Sequence, residues 1–176
     1  MKKTLLSAGL LLGMALFAGN AQADLEVGDD APDFSLKGSD GETYKLSDFK
    51  GKQAVVVAWF PKAFTGGCTA ECKSLREHGE TLRKFDVAHF AASCDEEELN
   101  EKFAESLDLD YPILSDPTRE TAKAYGLIKG DKKNASRATV YVGKDGKILL
   151  IEKSVKTGTH GEQVAATLEE LDVDKK

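Results

Sequence analysis

Apolar residues run without a break from Ala54 to Phe60 (AVVVAWF). A continuous apolar stretch of strand length predicts a central β-strand covered on both faces. Upstream, Phe34 and Leu36, the turn Ser39-Asp40-Gly41, and then Tyr44 and Leu46 predict a short hairpin within Val27–Leu46. Downstream, a glycine-containing loop, Pro61–Gly67, leads into a helix expected over Cys68–Lys84. Val87–Ser93 predicts the next strand, and Asp95 is expected to cap a helix carrying Leu99, Phe103 and Leu107 at helical spacing. Tyr111–Leu114 reads as a short strand. Asp116, with Pro117 at a favoured first position, is expected to start a helix that Gly126 ends. Ala138–Val142 and Ile148–Ile151 flank Asp145-Gly146, a strong hairpin signal. Thr159 and Glu162 have the spacing of a capping box for a last helix, with Val164, Leu168 and Leu171 on its buried face. Strands alternating with helices and closing on a hairpin predict an α/β fold with a mixed sheet.

The first 23 residues stand apart from this pattern. Lys2 and Lys3 precede an apolar run, Leu5–Phe17, and then Ala21-Gln22-Ala23. A short basic start, an apolar stretch and a small-x-small site describe a cleaved secretory signal peptide. The alternative, an uncleaved anchor, needs about 20 apolar residues to span a bilayer, and this run is shorter. The mature chain is then expected to run from Asp24 to Lys176 as a single domain, periplasmic and without stable membrane association.

Charge and cysteine count narrow the chemistry. Without Lys2 and Lys3, 22 basic residues face 30 acidic ones, a net charge of −8. Phosphate binding rests on a basic surface, so a nucleic-acid partner is excluded as an expectation. Three cysteines, Cys68, Cys72 and Cys94, leave at least one outside any intrachain disulfide.

Cys68 opens a helix directly after the buried strand. A thiolate is the reactive form, and a free thiol near 8.5 is only about 3% ionised at pH 7. The first turn of a helix presents unpaired N–H groups and the positive end of the dipole, both of which favour an anion. A thiol moved to about 6 would be roughly 90% ionised, a shift worth about 3 kcal/mol. Gly66 and Gly67 permit a close backbone approach, and Thr65 brings a hydroxyl one turn from the sulfur. The spacing also allows a bland reading. Cys68, Cys72, Leu75, Gly79 and Leu82 form one stripe of the helix, as small core residues would.

The segment FPKAFTGGCTAEC resembles the peroxiredoxin signature P-x-x-x-T-x-x-C, filled here by Pro61, Thr65 and Cys68. Its surroundings are similar to the peroxiredoxin Q, or bacterioferritin-comigratory, type. The likeness extends through VGDDAPDFSL, KFAESLDLDYPILSDP and RATVYVGKDGKI. It implies a thioredoxin-like fold with an N-terminal hairpin and a thiol peroxidase acting on hydrogen peroxide and organic hydroperoxides. It makes Cys68 the peroxidatic cysteine. Thr65 would hydrogen-bond the peroxide, Pro61 would shield the site from water, and Arg137 would stabilise the thiolate and polarise the O–O bond. The sulfenic acid formed on Cys68 would pass to a disulfide. No metal, haem or nucleotide cofactor is implied, and the expected partner is a thioredoxin-like electron donor, with the protein a monomer or a homodimer.

The likeness departs at the second thiol. Many peroxiredoxin Q members place the resolving cysteine five residues after the first, whereas Cys72 follows Cys68 by four. Cβ atoms at i and i+4 are about 5–6 Å apart in an intact helix, and a disulfide wants roughly 3.5–4.5 Å. Resolution by Cys72 therefore requires the first turn to unwind. Cys94, at the end of the VAHFAAS strand, reads as a buried small residue, with resolution as its sharper alternative.

Two other functions fit parts of the pattern. A thioredoxin-like disulfide oxidoreductase would need C-x-x-C and a proline ahead of the facing strand, where Asn134-Ala135-Ser136-Arg137 stand. An SCO-like copper metallochaperone shares C-x-x-x-C, and two thiolates with an imidazole suit copper(I). Arg137 stands where its histidine would be useful, and a cation repels a metal; His160 is a possible ligand, although it lies beyond the hairpin. His78, His89 and His160 read as surface or partly buried residues, and Trp59 as core beside the site.

Overall fold

A computed structural model describes residues 25–176. The expected signal peptide, residues 1–23, lies outside the described residues.

The elements in chain order are β1 (Ser35–Gly38), β2 (Thr43–Lys45), β3 (Ala54–Trp59), α1 (Gly66–Glu77), α2 (Gly79–Leu82), β4 (Val87–Ser93), α3 (Glu97–Ser106), β5 (Ile113–Ser115), α4 (Glu120–Ala124), β6 (Ala138–Val142), β7 (Ile148–Glu152) and α5 (His160–Glu170). One mixed sheet of seven strands has the order β2-β1-β5-β4-β3-β6-β7. As the apolar run requires, β3 is buried at every position and lies inside the sheet, parallel to β4 and antiparallel to β6.

Alternation along β3 divides the core into two layers. Ala54, Val56, Ala58 and Phe60 pack with Cys68, Cys72, Leu75, Phe103, Val164 and Leu168, the side of α1, α3 and α5. Val55, Val57 and Trp59 pack with Phe34, Leu36, Leu46, Ala122 and Tyr125. Trp59 is therefore core, as expected, but on the sheet face opposite Cys68.

The differences from expectation have local causes. The helix expected over Cys68–Lys84 starts at Gly66 and breaks at His78, whose φ of −100° and ψ of 7° leave the helical region. Gly79, a weak helix former, follows the break. Asp95 does not cap α3. Its carboxylate accepts from the Ala63 N–H at 2.8 Å and the Ser93 hydroxyl at 3.0 Å, and Glu96 takes the cap position. Leu99 faces solvent, and Asn100 is buried in its place, joined to Ser93 and Ser115. The strand read at Tyr111–Leu114 is Ile113–Ser115. Asp116 does bind a helical N–H, that of Ala122 at 2.8 Å, but Arg119 takes a left-handed φ of 65° and α4 begins only at Glu120. Thr159 stands at the N-cap of α5 as expected, yet its side chain makes no capping bond, because a 3-10 turn over Thr157–Thr159 feeds the helix.

The start of α5 packs directly on α1. A Cβ added at Gly161 would lie 2.2 Å from the Ser74 carbonyl oxygen and 2.8 Å from the His78 side chain. The Gly161 N–H donates to Ser74 Oγ at 3.0 Å. Alanine normally favours a helix over glycine by about 1 kcal/mol. At this position overpacking reverses the sign. Gly161→Ala should destabilise by about 1–3 kcal/mol, read as a lower urea midpoint at unchanged slope; a stabilised variant would show that the two helices are free to move apart.

Candidate active site

The β3–α1 loop is held at several points. The Phe60 N–H donates to the Ala92 carbonyl at 2.9 Å, and the Ala63 N–H to Asp95. Phe64 adopts a φ of 59°, unusual for a bulky residue, and its exposed ring lies 4.9 Å from that of Phe103. The Thr65 hydroxyl donates to the Lys62 carbonyl at 2.9 Å, which leaves its oxygen free to accept. Thr65 is also the N-cap of α1 by backbone, so Cys68 falls in the first turn with its side chain buried.

Arg137 reaches the sulfur from the sheet. It immediately precedes β6, where Ala138 pairs with Trp59 at the end of β3. Arg137 Nη2 donates to Cys68 Sγ at 3.3 Å. The guanidinium passes close over Gly67, where a Cβ would lie 3.4 Å from it, at ordinary contact distance. The sulfur thus lies beside a cation and at the amino end of a helix.

Behind the arginine lies a buried carboxylate. Glu71 pairs with Arg137 Nη1 through Oε2. Its Oε1 lies 3.1 Å from His160 Nδ1, and His160 Nε2 lies 2.7 Å from Thr139 Oγ1. Glu71, His160 and Thr139 are all buried. Burial pushes His160 down to about 4. The expectation of surface or partly buried histidines holds for His78 and His89 and fails for His160. With Nε2 bonded to Thr139 Oγ1 and Nδ1 3.1 Å from Glu71 Oε1, both ring nitrogens face polar groups other than the thiols.

Glu71 was not singled out by sequence, and His160 was read only as a surface or partly buried residue and a possible metal ligand, although both left a signal. Glu71 lies three residues from Cys68 on the face that carries Leu75. His160 precedes Val164 and Leu168 at helical spacing. A charged or polar group on an apolar stripe must have a buried partner.

The remaining candidates are distributed as follows. Pro61 is half-buried and lines a surface cleft with residues 132–136, ahead of Arg137. Cys72 is fully buried on the Cys68 side of the sheet. Burial pushes its thiol up to about 12, and the Tyr111 hydroxyl donates to its carbonyl at 2.9 Å. Cys94 packs against the opposite layer, its thiol pushed up to about 11 by burial and then by Asp116. The three thiols are free.

A model of the AhpC/TSA family matches residues 27–151. Peroxiredoxin Bcp of Bacillus subtilis (strain 168) is 33% identical over 153 residues, covering 84% of this chain and 97% of the relative. Peroxiredoxin Bcp of Escherichia coli (strain K12) is 35% identical over 153 residues, covering 83% and 97%. The crystal structure of Peroxidoxin BcpB from Mycobacterium tuberculosis is similar with a TM-score of 0.75 at 28% identity, over 83% of this chain and 97% of that one.

Two imidazoles, one buried and one partly buried, set an acid limit. His89, like His160, is pushed down to about 4 by burial. In the unfolded chain both take protons near 6.5, so their contribution to stability is complete above that pH and is lost as pH falls towards 4. Each is worth as much as about 3 kcal/mol at neutral pH. Urea unfolding between pH 7 and 4.5 should show this limb, and His89→Gln should flatten it; an unchanged slope would mean that His89 is charged in the folded protein.

Proposed function

The chain belongs to the AhpC/TSA family, as a thiol-dependent peroxidase of the peroxiredoxin Q or Bcp kind, and from that premise we propose that Cys68 is its peroxidatic cysteine. The observation that carries this reading is the Arg137 guanidinium 3.3 Å from Cys68 Sγ in the first turn of α1. The substrates are hydrogen peroxide and small organic hydroperoxides.

The thiolate attacks the terminal oxygen of the hydroperoxide. The S–O bond forms as the O–O bond breaks, the sulfur is oxidised by two electrons, and the leaving oxygen takes a proton to become water or an alcohol. Arg137 donates to the peroxide oxygens as charge moves onto the leaving one. The Thr65 oxygen accepts the hydroperoxide O–H, and Pro61 limits access of water.

Cys72 then resolves the sulfenic acid. Its sulfur attacks Cys68, an S–S bond forms and water leaves. Burial keeps the Cys72 thiol protonated while α1 is intact, so this step requires the first turn to open. A thioredoxin-like dithiol restores both cysteines. Lys2, Lys3, the Leu5–Phe17 run and Ala21-Gln22-Ala23 support export to the periplasm with cleavage before Asp24.

Neither rival function is favoured. The copper reading loses its imidazole to Glu71 and Thr139, and the disulfide-oxidoreductase reading lacks C-x-x-C.

Reduced protein with dithiothreitol should consume peroxide, Cys68→Ser should not, and Arg137→Leu should slow Cys68 oxidation by about 10²–10³-fold. An active Cys68→Ser would refute the assignment. After one equivalent of peroxide, intact mass should show wild type losing two hydrogens and Cys72→Ser gaining one oxygen. Equal loss of hydrogens in both would exclude Cys72 as the resolver. Protein released from a bacterial host by osmotic shock should begin near Asp24; a full-length cytosolic product would overturn export.

A further inference from the structure

His160 has no part in the reaction just described, yet it occupies a position that the arginine depends on. A carboxylate removed from water needs a partner at both oxygens. Glu71 is 1% exposed; Arg137 serves Oε2, and the atom facing Oε1 is His160 Nδ1 at 3.1 Å. We infer that His160 is a positioning residue for peroxide reduction: its Nδ1 faces Glu71 Oε1 at contact distance and supports that carboxylate, and Glu71 holds the Arg137 guanidinium against Cys68. The inference rests on Cys68 being the peroxidatic cysteine.

The hydrogen-bond bookkeeping selects one state of the ring. Glu71 must be ionised to pair with Arg137, so the nitrogen that faces it carries the proton. Nε2 is then an acceptor, and the Thr139 hydroxyl, 2.7 Å away, supplies the proton it takes. The opposite tautomer would aim a lone pair at a carboxylate oxygen.

The charge state matters as much as the tautomer. The charged groups around the ring are Glu71 on α1, Arg137 ahead of β6 and Glu152 on β7. Burial disfavours the charged ring, opposed by Glu152 and reinforced by Arg137. A cation at this position would compete with Arg137 for Glu71. A neutral donor orients the carboxylate and leaves the guanidinium directed at the sulfur. The approach of α5 to α1 at Gly161 is what brings the ring into reach.

The test compares Cys68 oxidation by hydrogen peroxide with Cys68 alkylation by iodoacetamide in the full protein, since alkylation needs the thiolate but not an aligned arginine. His160→Leu should slow oxidation about tenfold or more, with alkylation changed far less. H160N places an amide nitrogen near the Nδ1 position and should lose clearly less oxidation rate than H160Q, whose amide lies nearer the Nε2 position. In an E71Q background, H160L should cost little further. The inference is overturned if H160L oxidises like wild type, if its penalty persists in full beside E71Q, or if alkylation accelerates as oxidation falls, which marks mere loosening. Should H160L fail to fold, H160N and H160Q decide the matter, and equal losses overturn the inference. An inert wild type sinks the Cys68 assignment and this inference together; an active wild type with an equally active H160L sinks this inference alone.

Discussion

A buried carboxylate tolerates no vacancy, and the pairing of Glu71 ties together the parts of this molecule that matter for its chemistry. The charge sits on α1, one turn beyond Cys68. Its partners come from the residue ahead of β6 and from the first residue of α5. Removing one member of such a set leaves an uncompensated charge in the interior, which costs about 3–5 kcal/mol. The helix that carries Cys68, the strand end that carries the guanidinium and the last helix are thus held in one arrangement. Apolar packing alone would allow α5 to slide on α1. The His160–Glu71 contact and the close approach at Gly161 define where it stops.

The sheet supplies the other half of that arrangement. Because β3 pairs with both β4 and β6, the ends of three strands meet where the cysteine loop begins. Trp59 is opposite Ala92 on one side and Ala138 on the other. Asp95, two residues beyond β4, anchors the loop through the Ala63 N–H, and Arg137, one residue before β6, reaches Cys68. Both attachments follow from register. Shifting β6 by one residue would turn Arg137 to the other face of the sheet.

How much of this was legible depended on whether a residue's partner was local. The β3 run was readable because burial on both faces leaves a continuous apolar string. The closing hairpin was readable because its turn chemistry lies within a few residues. Cap assignments failed where a side chain had a better partner far along the chain: Asp95 turns to Ala63, 32 residues away, and the N-terminal turn of α3 proceeds without it. Leu99 illustrates the converse. Its spacing matched an apolar stripe, yet the buried position went to Asn100, whose amide is satisfied by Ser93 and Ser115. In the candidate site, Pro61, Thr65, Cys68 and Arg137 were singled out through a motif and its flanks, and the structure brings Arg137 to Cys68. Glu71 and His160 were not, because a carboxylate and an imidazole on helices read as solvated until the third dimension brings them together.

The same packing that prepares Cys68 obstructs the step after it. Cys72 is sealed on the sheet-facing side of α1, four residues from its target, so a disulfide between them cannot form in the closed helix. In the proposed reaction the chemistry itself loosens that closure. A thiolate accepts a charge-assisted hydrogen bond from Arg137, roughly twice as strong as a neutral one. A sulfenic acid is neutral, so oxidation removes the anion that the guanidinium and the helix terminus were stabilising. Opening the first turn then costs a few backbone hydrogen bonds, including that from the Thr69 N–H to the Thr65 carbonyl at 2.9 Å, each worth about 1 kcal/mol net. Phe64, held at a positive φ, gains access to commoner conformations as the turn opens. Glu71 is the member that resists: it lies in the next turn and remains paired with Arg137 and His160. Unwinding is thereby limited to the residues ahead of Glu71, which releases Cys68 towards Cys72 while the rest of α1 stays docked on the sheet.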